Sequence, residues 1–230
     1  MCSRYFLDAD GNIIAYTFRV PVNPDVKKRY NIAPTQDAPV IRVGREGGRE
    51  AVMLRWGLVP FWSKDLKSGN RMINARAEGI ETRPAFREAV QRRRCIVPAS
   101  GFFEWKDLGR HKQPFAITVP QEPLFGFAGL WERWKRGDDD HVETFTIVTT
   151  EANSAVAGIH DRMPVIIPQG SIDAWLSAPA EEALALLRPY EAPMTLRPVR
   201  KTVSDPRVDV PECLDDAEAS WEEDPQQRLL

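Results

Sequence analysis

RCIVPASGFFEWK, residues 94–106, combines β-branched and aromatic residues in runs of strand length. We predict two strands here, over residues 94–97 and 102–106. Side chains alternate between the two faces of a strand, so Glu104 shares a face with Phe102, whereas Phe103 and Trp105 share the other. A carboxyl group held against aromatic surface loses solvation, which favours its neutral form and suits a general acid. The alternative is an exposed glutamate on a half-buried strand.

The regions on both sides of this stretch predict a chain built mainly of strands with a few short helices. Further strands are predicted over residues 3–7, 115–119, 124–134, 144–149 and 194–199, with a hairpin of residues 39–43 and 51–58. Helices are predicted at residues 82–92, 152–159, 172–176 and 180–187, the first capped by Thr82 and the third by Ser171, and residues 8–12 predict a turn. This order predicts one α+β domain with a largely antiparallel sheet system.

Length, composition and charge limit the class of protein. The chain has 230 residues, of which 43% are hydrophobic and 28% charged, as is usual for a soluble protein with one substantial core. Residues 211–230 contain seven acids and one base, so this segment carries −6 and the remainder +4 within the net charge of −2. We predict a domain over residues 1–210 and an acidic, flexible tail over residues 211–230. The mildly basic body is compatible with a local phosphate-binding groove.

Several classes of protein and of site are not indicated. No basic segment leads into an apolar run near Met1, and nothing approaches the roughly 18 apolar residues of a membrane span, so we expect no secretory signal and no membrane partner. Three distant cysteines without a CxxC pair indicate a reducing compartment, the cytoplasm, and Cys95 is read as a core thiol. Because the chain lacks HExxH, paired Cys/His spacings and an EF-hand loop, we expect no metal and no cofactor. The G-x-S-x-G elbow of a serine hydrolase is also missing.

Cys2 is the position with the most distinctive potential chemistry. Aminopeptidases that remove an initiator methionine accept a small second residue, and removal of Met1 would leave an α-amine and a thiol on Cys2. An α-amine has an ordinary pKa of about 7.7–8.0, so roughly a tenth of it is free base at neutral pH. Such an amine attacks carbonyls, and the neighbouring thiol can close the imine into a thiazolidine ring. On position alone, an incidental cysteine is the alternative.

Two further polar stretches are candidates for the same site. In MINARAE, residues 72–78, the Asn74 amide could orient an amine or hydroxyl, and Arg76 could bind phosphate as a fixed fork. An Asn-stabilised turn with a solvated arginine is the alternative. In HDRMP, residues 160–164, His160 lies between apolar elements and titrates near neutrality, whereas His111 and His141 lie in polar turns. A structural histidine is the alternative there.

Seven motifs, in order along the chain, resemble the SOS response-associated peptidase (SRAP) family, whose members sense abasic sites in single-stranded DNA. Each motif alone is a weak signal, but the ordered set with cysteine at position 2 is specific and extends from residue 1 to about residue 200. Ser3 stands where the family usually has glycine. The motifs are MCSR (1–4), RYNIAP (29–34), WGLVP (56–60), INAR (73–76), GFFEW (101–105), HDRMP (160–164) and RPV (197–199).

The resemblance implies a compact α+β fold with a barrel-like sheet core and a basic groove. It implies that Cys2 is the crosslinking residue and that Asn74, Glu104 and His160 complete the active site. The implied partner is single-stranded DNA containing abasic sites, and we expect a monomer. By the same resemblance, the DNA contacts are phosphate-binding arginines and aromatic side chains near the DNA, namely Arg4, Arg76 and Arg162 with Trp62 and Trp105.

Three functions are compatible with these residues. In the first, the Cys2 amine adds to the aldehyde of a ring-opened abasic sugar and the thiol closes the ring. Glu104 acts as general acid and base, and His160 moves a proton to or from the sugar hydroxyl. Asn74 orients Cys2. In the second, the chain is an N-terminal-nucleophile peptidase, including self-processing that removes Met1. The third is a non-catalytic module for single-stranded DNA. The arginines and aromatics that accompany the polar residues favour the first.

Overall fold

Strands make up most of the regular structure in the computed structural model, which describes residues 2–137 and 140–217. The strands are β1 Tyr5–Leu7, β2 Arg29–Ile32, β3 Asp37–Val43, β4 Arg49–Trp56, β5 Asn74–Arg76, β6 Arg94–Ala99, β7 Gly101–Asp107, β8 Lys112–Thr118, β9 Phe125–Lys135, β10 His141–Glu151, β11 Arg162–Pro164, β12 Ile166–Ile167 and β13 Thr195–Pro198. The α-helices are α1 Gly11–Phe18, α2 Arg87–Arg92, α3 Ile172–Ser177 and α4 Ala180–Leu184. Short 3₁₀ segments lie at Leu66–Arg71, Gln169–Ser171, Lys201–Ser204 and Pro211–Leu214.

Five strands close into a mixed barrel. β10, β4, β3, β6 and β9 are hydrogen-bonded in that order, and β9 pairs back onto β10. The β4–β10 pair is parallel and the other four pairs are antiparallel. Trp56, Phe127 and Phe145 are fully buried, and the rings of Trp56 and Phe145 stack 6.2 Å apart. The barrel therefore encloses a filled aromatic and aliphatic core.

The second half of β10 changes its neighbours. Its first half lies between β9 and β4, whereas residues 147–149 pair with β5 and residues 149–151 pair with β11. β5 runs parallel to β10 and β11 antiparallel to it. This change of partners brings residues 74–76 and 162–164 to the same end of the barrel.

A second, antiparallel sheet carries the N-terminal strand. Its order is β13-β8-β7-β1-β2, with Tyr5 opposite Phe102 and Phe6 opposite Gly101. Phe102 lies 6.0 Å from the ring of Phe127 in the main core, whereas Phe103 lies 5.2 Å from the ring of Phe6 in a smaller cluster on the other face. The alternation predicted for residues 102–105 is therefore confirmed, and both faces of this sheet are covered at β7.

The α+β fold with a largely antiparallel, barrel-like core and short flanking helices is confirmed. The predicted hairpin is β3 paired with β4, joined through residues 44–48. The five strands predicted between residues 94 and 149 are β6 to β10, with bounds that differ from the predicted ones by up to three residues.

Several predictions for helices, helix caps and turns were wrong. Residues 8–12 do not form the predicted turn but lead into helix α1. The Asp10 carboxylate accepts hydrogen bonds from the N–H groups of Asn12 and Ile13 and so caps this helix. The helix predicted from Thr82 begins only at Arg87, without a side-chain cap. Residues 152–159 form turns instead of a helix, and Ser171 does not cap α3 with its side chain.

Residues 199–217 pack against the N-terminal strands. Asn31 donates through Nδ2 to the carbonyls of residues 203, 205 and 208, at 3.2, 3.0 and 2.6 Å. The carboxylate of Asp209 accepts from the Arg29 side chain and from the N–H groups of residues 30 and 31. This clasp, as we call residues 199–217, thus holds β2 in place.

The start of the predicted tail also belongs to the clasp. Pro211–Leu214 is a 3₁₀ turn, Cys213 is fully buried and Asp216 forms a bridge with Val199. Residues 211–217 therefore differ from the flexible tail that their acidity predicted, because one buried thiol and a backbone bridge anchor them. Residues 218–230 of that tail lie outside the described residues, and the division of the chain at residue 210 stays a prediction. No helix within the described ranges has the length and apolar character needed to cross a membrane.

Candidate functional site

The N-terminal segment meets β5 at the junction of the two sheets. Nδ2 of Asn74 donates a hydrogen bond of 2.7 Å to the main-chain carbonyl oxygen of Cys2. Asn74 pairs with Ile147 on β10, whereas Cys2 leads into β1 of the second sheet. Oδ1 of Asn74 is buried and accepts no hydrogen bond from residues 2–137 or 140–217. The amide therefore fixes the position of residue 2 from the side of the barrel.

Glu104 is a buried carboxyl group close to Cys2. Its strand β7 is tied to the N-terminal segment by the N–H of Phe103, which donates to the carbonyl of Arg4 at 3.0 Å. Glu104 is only 3% exposed. Burial raises the pKa of Glu104 to about 7, and the negative charge of Asp161 acts in the same direction. A carboxyl with this pKa both donates and accepts a proton at neutral pH, which is what a general acid and base requires.

The thiol of Cys2 faces the main core and is fully buried. Its Sγ lies 3.8 Å from the carbonyl oxygen of Arg4. Burial raises the pKa of the Cys2 thiol above its ordinary value, and the nearby Glu104 carboxylate raises it further. The thiol is therefore protonated at neutral pH, so it is suited to adding to an activated electrophile and not to serving as a free thiolate.

His160 lies beside Asp161, just before β11. Its Nδ1 accepts a hydrogen bond of 2.9 Å from the N–H of Arg162 and lies 2.8 Å from Oδ1 of Asp161. Burial lowers the pKa of His160, so the neutral ring predominates at pH 7. Nδ1 therefore faces both a donor, the N–H of Arg162, and an acceptor, the carboxylate of Asp161. Since Asp161 acts on the pKa of both His160 and Glu104, the three groups form one electrostatic unit.

Two of the three predicted phosphate ligands have very different surroundings. Arg4 is buried: its Nη1 donates to Oδ1 of Asn31 at 2.9 Å and to the carbonyl of Val203 at 2.8 Å. Its guanidinium also lies 5.7 Å from the ring of Trp105. Arg76, by contrast, ends β5 with an exposed side chain. Arg4 thus joins the N-terminal segment to the clasp, while Arg76 presents its charge to solvent.

The third predicted phosphate ligand, Arg162, is bound to a carboxylate. Its Nη1 and Nη2 donate to the two carboxylate oxygens of Glu78 at 2.7 and 2.9 Å. Nη2 also donates to the carbonyl of Thr149 at 2.7 Å. The planar fork of the guanidinium is therefore engaged by a bidentate ion pair.

The predicted aromatic contacts also differ in their exposure. Trp62 is 54% exposed and its neighbour Phe61 56% exposed, so these two rings present apolar surface together. Trp105 is half-buried, and its Nε1 donates to Oγ of Ser204 in the clasp at 3.1 Å. Trp62 therefore has a face open to solvent, whereas Trp105 also has a packing role.

Sequence reasoning missed two acids of the site. Glu78 stands two residues after Arg76 in a stretch that was singled out, but its partner Arg162 is 84 positions away. Asp161 directly follows His160, and this adjacency was the available signal. The described parts of the chain contain no group of three or more His, Cys, Asp or Glu side chains arranged to hold a metal ion.

Comparison with known proteins extends these findings. The family model described as SOS response associated peptidase (SRAP) matches residues 1–206. Two proteins of Bacillus subtilis are similar: abasic site processing protein YoqW is 36% identical over 94% of this chain and 99% of its own length, and abasic site processing protein YoaM is 38% identical over 94% and 98%. A crystal structure of a protein from Bacteroides thetaiotaomicron superposes with a TM-score of 0.83 at 28% identity, covering 94% of this chain and all of the other.

Proposed function

Because this chain belongs to the SOS response associated peptidase (SRAP) family, we propose that it processes abasic sites in DNA, as the names of its relatives YoqW and YoaM indicate for them. The form of processing that we propose is covalent capture of the lesion by Cys2 after removal of Met1. The substrate is single-stranded DNA, in which the lesion does not have to be extracted from a duplex. We assign this reaction to the response to DNA damage in the cytoplasm.

The chemistry requires two bonds to form on one carbon atom. The unprotonated α-amine of Cys2 attacks C1′ of the open-chain aldehyde, and the carbinolamine loses water to give an imine. The thiol then adds to the same carbon, forming the C–S bond, and its proton passes to the imine nitrogen. The product is a thiazolidine ring that joins residue 2 to the sugar, with water as the leaving group and no change in oxidation state.

The single observation that carries this proposal is the position of residue 2. Asn74 holds the carbonyl of Cys2 from the barrel, and the charge of Glu104, whose own pKa is raised to about 7, acts on the pKa of the Cys2 thiol. In its acid form Glu104 would protonate the departing hydroxyl of the carbinolamine, and in its base form it would accept the proton of the thiol. His160 would move a proton to or from the sugar hydroxyl as the ring opens.

Binding of the strand would rest on charge and stacking. The exposed Arg76 and the fork of Arg162 are suited to backbone phosphates, and Arg4 extends the positive potential towards residue 2. Trp62 offers an open ring face on which a base can stack. Bases are recognised in this way without regard to sequence, which fits a protein that must find a missing base.

The alternative, a peptidase in which the Cys2 thiolate attacks an amide, fits the site less well. A nucleophilic thiolate needs a lowered pKa, for example beside a protonated histidine or a helix N-terminus. Here burial and the neighbouring Glu104 raise the pKa of the thiol instead, and the neutral form of His160 is favoured. Addition to an imine makes no such demand, because the electrophile is activated and the thiol can lose its proton as it reacts.

The proposal is tested with purified protein that has lost Met1, confirmed by intact mass, and an oligodeoxynucleotide containing one abasic site. We expect a denaturation-resistant adduct whose mass equals protein plus DNA minus one water. Cys2→Ala should abolish it, whereas Cys95→Ala, which removes another buried thiol, should leave it intact. A normal adduct yield from Cys2→Ala would overturn the assignment, and a yield lost equally in both variants would point to a folding defect.

A further inference from the structure

The ion pair between Arg162 and Glu78 occupies the groups that a phosphate would use. A guanidinium has five N–H donors, and here three hydrogen bonds are made through Nη1 and Nη2, two to the carboxylate and one to Thr149. Nε is buried and has no acceptor among the described residues. A phosphate therefore cannot be gripped by both Nη atoms unless the carboxylate of Glu78 leaves.

The two partners differ in their freedom to move. The Arg162 side chain is 14% exposed and is held by the carbonyl of Thr149, which also accepts from the N–H of Ala77. Glu78, whose side chain is 56% exposed, lies on the segment beyond β5. An exposed carboxylate can swing into water and be solvated there, whereas a largely buried cation without a partner is costly. Exchange of the carboxylate for a phosphate is thus the movement that this geometry allows.

We propose that Glu78 competes with the DNA backbone for Arg162 and so weakens the binding of single strands. Resting on the proposed function, the inference is that the carboxylate keeps Arg162 paired in the absence of DNA and is displaced by a backbone phosphate. Every encounter with a strand then includes the cost of breaking the Arg162–Glu78 pair. Weaker binding to undamaged strands follows, because no covalent bond adds to the phosphate contact there.

The charge pattern around the pair supports competition. The Arg162 hydrogen bonds hold the pKa of Glu78 below its usual range, so the carboxylate is ionised at neutral pH. The positive charge of Arg76 also acts on Glu78. A phosphate in the place of the Glu78 carboxylate meets the same two positive charges that now attract the carboxylate, so phosphate and carboxylate are alternatives at one place.

The test measures equilibrium binding of a fluorescent oligodeoxynucleotide without an abasic site, by anisotropy, at fixed salt concentration. Glu78→Gln is expected to tighten Kd by about three- to tenfold, the effect of removing a charge-assisted pair from the unbound state. Glu81→Gln makes the same change of charge three residues along at an exposed position and should alter Kd less than about twofold. Glu78→Asp keeps the charge but is too short for the bidentate pair, and it should tighten binding by a smaller factor.

The Arg162→Ala background isolates the pair. There, adding Glu78→Gln should produce no more change than Glu81→Gln, because the competed group is gone. The inference is overturned if Glu78→Gln weakens binding, if it matches Glu81→Gln in the wild-type background, or if its full effect persists without Arg162. Failure of the proposed function is separate: it would be seen as a wild-type protein that forms no adduct with the abasic oligodeoxynucleotide.

Discussion

The buried carboxyl of Glu104 makes the stability of this fold depend on pH. In the unfolded chain its pKa is near 4.5, and burial raises it to about 7 in the folded protein. Between these values the folded state retains a proton that the unfolded state has released. The free energy of unfolding therefore falls as pH rises from about 4.5 to about 7 and levels off above. At about 1.36 kcal/mol per pH unit, the loss is about 3 kcal/mol.

Glu104→Gln tests this because the amide has the same shape and does not titrate. Between pH 4.5 and pH 8, the decrease in the free energy of unfolding should be about 3 kcal/mol smaller for the variant than for the wild type. Urea unfolding at closely spaced pH values measures it. Some slope should remain, since burial also raises the pKa of Glu132. Glu81→Gln, at an exposed position, should follow the wild-type curve. Parallel pH profiles for wild type and Glu104→Gln would refute the reasoning.

Two variants of the site give further measurable outcomes. Asn74→Ala removes the 2.7 Å hydrogen bond to the carbonyl of residue 2 and should slow adduct formation about tenfold in single-turnover gels, the effect of about 1–2 kcal/mol; an unchanged rate would contradict an orienting role. Trp62→Ala should weaken binding to intact single strands by about tenfold, because base stacking contributes about 1–3 kcal/mol. Tyr16→Ala, which removes another exposed ring on α1, is its control, and equal Kd values for the two variants would rule out stacking on Trp62.

The strands were predictable because their signal is local. Apolar runs of β-branched and aromatic residues, such as those around Phe102 and Phe127, are bounded by turn residues and alternate with the pleat. Residues 8–12 failed for a physical reason: aspartate and glycine suit both a turn and a helix N-terminus, and only the hydrogen bonds of Asp10 decide between them. Closure of the barrel depends on the parallel pair β4–β10, which joins residues far apart in sequence. A local sequence pattern does not predict such a pair.

The site was predictable in its residue types but not in its pairings. Cys2, Asn74 and Glu104 could be singled out by their motifs, and the structure places Asn74 in contact with residue 2 and Glu104 near its thiol. The sequence gives no sign that Arg4 would be buried beneath the clasp or that Arg162 would be held by a carboxylate. Both depend on which charges the fold brings together, and charged residues are compatible with surface and interior positions alike until their partners are known.

The clasp has a consequence for how the protein is made. The contacts of Asp209 with residues 29–31 join positions 178 to 180 apart in sequence, so β2 lacks these partners until nearly the whole polypeptide has left the ribosome. The N-terminal segment, which precedes β2, therefore takes its final position late in biosynthesis. Under the proposed function, an aminopeptidase acting during synthesis would reach Met1 before Cys2 is enclosed, so maturation of the chain would precede its reactivity.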